Sequence, residues 1–165
     1  FTTKIKPKLV LDQRIYYEND IFSNDGPLPP EVGEKTSYTV VWRPKTFYSN
    51  VENVKVKTFL PDNVDLIGNV FPEDQLSNFT FNSDSREIVW TIGNLQTGEE
   101  GPTIAFQVEL EPNSSQRGGQ ATIIDETIIN GYDLWTETNI ENDYSVLDSG
   151  DLVDYATSTD QGIIQ

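Results

Sequence analysis

An all-β chain, folded as two antiparallel sheets packed face to face, is predicted by three observations. Val, Ile and Thr supply 43 of the 165 residues and Ala only 3. That balance favours strands, because β-branched side chains are stiff at χ1 and fit a pleated surface. Apolar residues recur at every second position in several short segments, while no segment sustains a 3.6-residue period. Gly, Pro, Asn and Asp clusters separate these segments at turn-like intervals.

Each element follows from that alternation. Residues 8–17 place Leu9, Leu11, Ile15 and Tyr17 on one face; Gln13 interrupts the inward row, which suggests an edge strand. Residues 18–33 carry Pro27, Pro29, Pro30, Gly26 and Gly33 and read as a long loop. Tyr38, Val40 and Trp42 form the next inward row, then Val54, Val56, Thr58 and Leu60, with Pro61-Asp62-Asn63 as a turn. Phe79 and Phe81 mark a short strand. Ile88, Trp90 and Ile92 make another row, ended by Gly93-Asn94, and Ile104, Phe106, Val108 and Leu110 the cleanest one. In residues 120–129 the parity slips between Ile123 and Ile124, as at a bulge. Asn130-Gly131 reads as a tight turn, and residues 134–146 supply one last strand. The sum is an immunoglobulin-like antiparallel β-sandwich of about eight or nine strands over residues 1–147. Residues 148–165 are acidic, polar and poor in aromatics, and predict a mobile tail or linker.

Composition narrows function. There is no Cys, His or Met, so thiol nucleophiles, disulfides, His-based triads and N/S zinc sites are excluded. With 27 acidic and 11 basic residues the net charge is −16. Nucleic acid is not an expected partner, since phosphates need Lys and Arg to release their counterions. No apolar run reaches the roughly 20 residues of a spanning helix, so direct membrane insertion is not expected. A Phe at position 1 reads as an excised or mature piece.

The order of several segments carries a resemblance. Val32-Gly33-Glu34-Lys35-Thr36 leads into Tyr38-Thr39-Val40, and Asn53-Val54-Lys55-Val56-Lys57 precedes Leu60-Pro61-Asp62-Asn63-Val64. Ile88-Val89-Trp90-Thr91-Ile92-Gly93-Asn94-Leu95 is followed by Phe106-Gln107-Val108. Over residues 31–110 this pattern resembles the prokaryotic conserved-repeat surface domain, domain of unknown function eleven. The resemblance implies an immunoglobulin-like spacer or adhesion module of large extracellular proteins, with no catalytic residues to carry over. The chain departs from it at Arg43 to Asn50, a longer, aromatic connection.

Candidate sites are few. Glu18, Asp20, Asn24 and Asp25 cluster on one loop beside Gly26, as a solvated acidic loop or as oxygen ligands for Ca²⁺. Two further acidic groups are Glu141, Asn142 and Asp143, and Asp148, Asp151 and Asp154. Phe47, Tyr48, Tyr132 and Trp135 lie off the inward rows and are candidates for stacking on sugars. Lys8, Asn139 and Glu126 form a conceivable trio for a Lys–Asn crosslink. No catalytic residue and no cofactor is expected, Ca²⁺ being the one candidate ion. The expected role is a non-enzymatic structural module of a prokaryotic cell-surface protein, located outside the cell. It would extend or display neighbouring domains, and its exposed first strand could pair with a neighbour by strand addition. The alternatives are a module that binds a glycan or another protein, and a calcium-stiffened interdomain repeat.

Overall fold

A computed structural model describes residues 9–18, 20–47, 49–98, 101–152 and 162–165. The chain is an antiparallel β-sandwich. Eleven strands are present among the described residues: β1 (Leu9–Tyr16), β2 (Thr36–Thr46), β3 (Val51–Phe59), β4 (Val64–Phe71), β5 (Phe79–Asn82), β6 (Glu87–Leu95), β7 (Ile104–Leu110), β8 (Thr122–Ile124), β9 (Thr127–Asp133), β10 (Thr138–Tyr144) and β11 (Leu147–Asp148). One sheet has the order β1-β2-β7-β4, and the facing sheet β10-β9-β3-β6-β5; β8 and β11 form a separate two-stranded ribbon.

The core lies between the two sheets. Trp42 and Trp90 are fully buried, one from each sheet, and stack with ring centroids 6.3 Å apart. Phe106 meets Trp42 edge-on at 4.8 Å, a preferred aromatic geometry. Each indole N–H finds a glutamine: Trp42 donates to Gln13 Oε1 at 3.1 Å and Trp90 to Gln75 Oε1 at 3.0 Å. Gln13 therefore belongs on the inward row, because a buried donor left without a partner is costly. The Tyr38 hydroxyl is the buried side-chain polar atom that lacks such a partner among the described residues.

Several readings are corrected. The parity slip near Ile124 is not a bulge within one strand. It is the passage from β8 to β9, and Thr58 Oγ1 fixes the crossing by donating to Asp125 O at 2.9 Å and Glu126 O at 3.2 Å. Asn130-Gly131 lies inside β9, and the turn comes at residues 134–137 instead. Gly131 is needed for close packing: a Cβ there would sit 2.5 Å from Val51 Cγ1. Gly93-Asn94 likewise lies inside β6.

The acidic end is no free tail where it is described. Leu147 and Asp148 pair with β8. Ser149, Leu152 and Ile164 are buried. Ser149 Oγ accepts from Ala121 N at 3.0 Å and donates to Gly162 O at 2.6 Å. Ile164 and Gln165 are clasped between two loops, by Ile164 N to Gly119 O and Gln165 N to Pro30 O, both at 2.8 Å. The polar average over the segment hides these few apolar anchors. Asp154 lies outside the described residues.

Candidate binding surfaces

The long loop before β2 is a strap over the outer face of the first sheet. Gln107 on β7 holds it, donating to Ser23 O at 2.9 Å and Asn24 Oδ1 at 2.8 Å while its Oε1 accepts from Asn69 Nδ2 at 2.8 Å. Asn24 Nδ2 donates in turn to Tyr17 O at 2.8 Å and Thr39 Oγ1 at 3.0 Å. Asp25 exchanges backbone hydrogen bonds with Ser37, both as donor to its hydroxyl and as acceptor from its N–H. Of the four calcium candidates, Asn24 thus has its carbonyl oxygen committed to Gln107. Glu18 and Asp20 stand at a recess of about 630 Å³ with Tyr16, Tyr17 and Phe22. Among the described residues no three acidic side chains gather closely enough to hold a metal ion. Asp148 and Asp151 shape a turn, with Gly150 N donating to Asp148 Oδ1 at 2.8 Å and Asp148 N to Asp151 Oδ2 at 2.9 Å.

The first strand is not an open edge. Asn142 Nδ2 donates to Leu9 O at 2.8 Å, and Leu11 N donates to the Tyr144 hydroxyl at 2.7 Å. Gln13 Nε2 reaches Ser145 O at 3.4 Å, and Ile15 bridges Leu152. Side chains and backbone that follow β9 therefore occupy the outer flank of β1, where strand addition by a neighbour was expected. Lys8 lies outside the described residues. Asn139 and Glu126 are exposed at opposite ends of the β9–β10 hairpin, so the acid of that trio does not sit beside Asn139.

One end of the sandwich gathers aromatic residues. Phe47 follows β2 and Trp135 follows β9; each is nearly half exposed, as is Leu134. Lys45 Nζ lies 4.9 Å from the Phe47 ring centroid. The two loops are tied together. Leu134 N donates to Asn50 O at 3.1 Å, and Thr97 donates to Phe47 O and Asn50 Oδ1 from the loop after β6. The centre of this arrangement is Asp133, fully buried. Its carboxylate accepts from Ser49 Oγ, from Thr136 Oγ1 and from Thr136 N at 2.7 Å. Burial alone would push the Asp133 carboxyl up, but the donors of Ser49, Thr136 and Trp135 outweigh it and hold the group below its ordinary value. Tyr48 lies outside the described residues.

Tyr132 belongs to a different surface, the outer face of the five-stranded sheet. A recess of about 580 Å³ is lined there by Asn53, Lys55, Lys57, Asn130, Tyr132 and Asn139. Its floor is set by an irregularity in β3: the register shifts between Val51 and Lys55 against β6 and between Glu52 and Lys55 against β9, and Asn53 takes a left-handed φ of 54°. Glu141 closes one side from β10. Sequence reasoning singled out Tyr132 for sugar stacking and Asn139 only for a crosslink, and did not name Lys55, Lys57 or Asn53 as site residues. Their signal was the outward half of the alternation in residues 53–57, read only as solvent-facing.

No protein-family profile and no characterised protein sequence matches the chain, so the conserved-repeat resemblance gains no family support. Solved structures do match. A variant of BcpA, the major pilin subunit of Bacillus cereus, aligns with a TM-score of 0.52 at 11% identity, over 86% of this chain and 40% of that one. The full-length major pilin SpaD of Corynebacterium diphtheriae aligns with a TM-score of 0.49 at 11% identity, over 86% of this chain and 35% of that one. The chain thus spans well under half the length of either pilin. At such identity the BcpA likeness supports the fold, an immunoglobulin-like β-sandwich. No helix among the described residues is long and apolar enough to cross a membrane.

Proposed function

We propose that this chain is a non-catalytic structural module of a prokaryotic cell-surface protein, holding its neighbours apart in line. The observation that carries the reading is the placement of Leu9 and Gln165, the first and last of the described residues. Leu9 pairs with Thr46 at one end of β2, whereas Gln165 is clasped by Pro30 and Val32, just ahead of Thr36 at the other. The eleven residues of β2 separate these points by roughly 35 Å. Tension applied along that line shears β1 against β2, loading their ladder together instead of one bond at a time. A fold shared with a pilin subunit is consistent with that use.

Two measurements test the proposal. Antibodies against the domain should label intact cells of the source organism. Pulling a tandem array by its ends should give single cooperative ruptures, each releasing about 500 Å of chain at ~3.4 Å per residue. Absence of surface label, or extension without a rupture peak, would sink the reading.

A further inference from the structure

We propose that the recess on the outer face of the five-stranded sheet binds an acidic saccharide, one whose sugar rings carry carboxylates. This site is independent of the spacer role and goes beyond it. Three observations converge on it. First, Lys55 and Lys57 stand on the same face of β3, two positions and roughly 7 Å apart. The ion pairs among the described residues are Arg14–Asp12, Lys35–Glu109 and Arg86–Asp65, so neither lysine is engaged. In a chain of net charge −16, two adjacent cations left unpaired mark a local preference for an anion, which relieves their mutual repulsion.

Second, the walls are amides. Asn53, Asn130 and Asn139 line the recess, and none of their side chains is engaged in a hydrogen bond within the described residues. Each amide offers one acceptor and two donors, the complement of neighbouring sugar hydroxyls, which both give and take. Glu141 adds an acceptor, and the partly exposed Tyr132 adds a ring and a hydroxyl. Third, the volume of about 580 Å³ falls within the range of small-ligand clefts, roughly 300–1,000 Å³.

The same lysines would attract an acidic peptide, but a peptide carboxylate leaves the three amides and the tyrosine without a matching array. A second copy of the chain is disfavoured by its own charge of −16.

The test is calorimetric titration at low ionic strength with an oligogalacturonate trimer and a hyaluronan hexasaccharide, against cellohexaose as the neutral counterpart. At least one acidic probe should bind, cellohexaose should bind about tenfold more weakly, and added salt should weaken the acidic probe. The double variant Lys55→Gln/Lys57→Gln and, separately, Tyr132→Ala should each lower affinity about tenfold. Lys55→Gln alone guards against a folding defect in the double variant, and thermal melts confirm that each variant is folded. Arg43→Gln, on the other sheet, should bind as the parent does. Failure of both acidic probes, or variants that bind unchanged, would overturn the proposal. So would loss of binding in Arg43→Gln, or poly-glutamate matching the best saccharide. A concentration-dependent dimer that dissolves in the lysine variant would instead assign the face to a second copy, and would also overturn it.

Discussion

Replacing Asp133 by Asn probes the end of the sandwich that carries Phe47 and Trp135. The carboxylate accepts from Ser49 on one loop and from two donors of Thr136 on another, and it does so with no solvent exposure. An amide keeps one acceptor oxygen but sets an N–H₂ against donors on the other side. Hydrogen bonds to charged groups contribute about 1.5–3 kcal/mol each, and bonds sharing one group are not additive. A loss of about 2–4 kcal/mol follows, or roughly 4–16 °C in Tm for a domain of this size. The pH dependence gives a second reading. Because the folded carboxyl is held below its ordinary value, its contribution is fully present above the unfolded pKa of about 3.9 and fades as pH falls through the folded value. The Tm gap between parent and variant should be widest near neutral pH and narrow below about pH 4. Differential scanning calorimetry at pH 7 and pH 3 measures both. A drop of less than about 1 °C, or a gap that widens in acid, would refute the assignment of Asp133 as an ionised clamp.

Three further outcomes are expected. Arg86, at φ 63°, donates to Leu60 O at 3.2 Å, to Pro61 O at 3.1 Å and to Val64 O; Arg86→Ala should cost about 2–3 kcal/mol in urea unfolding, and Arg86→Gly about 1 kcal/mol less because glycine tolerates the left-handed backbone. Tyr38→Phe removes a buried hydroxyl that has no partner among the described residues, so thermal melting should stay level or rise by about 2–4 °C, corresponding to about 1 kcal/mol; a clear fall would mean that the hydroxyl is satisfied. Tyr144→Phe deletes the acceptor for Leu11 N and should speed hydrogen exchange at that amide by about tenfold, with a stability loss near 1 kcal/mol.

The inward rows were legible because alternation reports burial directly: Tyr38, Val40, Trp42, Ile88, Trp90 and Ile104 all lie where period two puts them. The outer faces were not, because period two says which side a residue takes but not what covers that side. Thr39 and Gln107 alternate as solvent-facing residues, yet the strap buries them, and its hydrogen bonds span gaps of up to 84 positions. Gln13 looked like a flaw because its partner, the Trp42 indole, is 29 positions away. Asn130-Gly131 matched a turn by dipeptide chemistry, but Gly131 answers to the crowding of Val51 and Val54 against β9. The candidate site followed the same rule. Tyr132 could be picked out as an aromatic off the core rows, whereas Lys55 comes from β3, joined to β9 only by sheet register, and Asn139 faces Tyr132 across a hairpin whose turn was expected elsewhere.

The tyrosine hydroxyl and asparagine amide that seal the flank of β1 bear on how densely such molecules can be crowded. An open strand border is a template on which a passing chain can nucleate a stack of cross-β layers. Here that border is already spoken for by groups of the same molecule, so copies packed shoulder to shoulder would meet along it only through side chains.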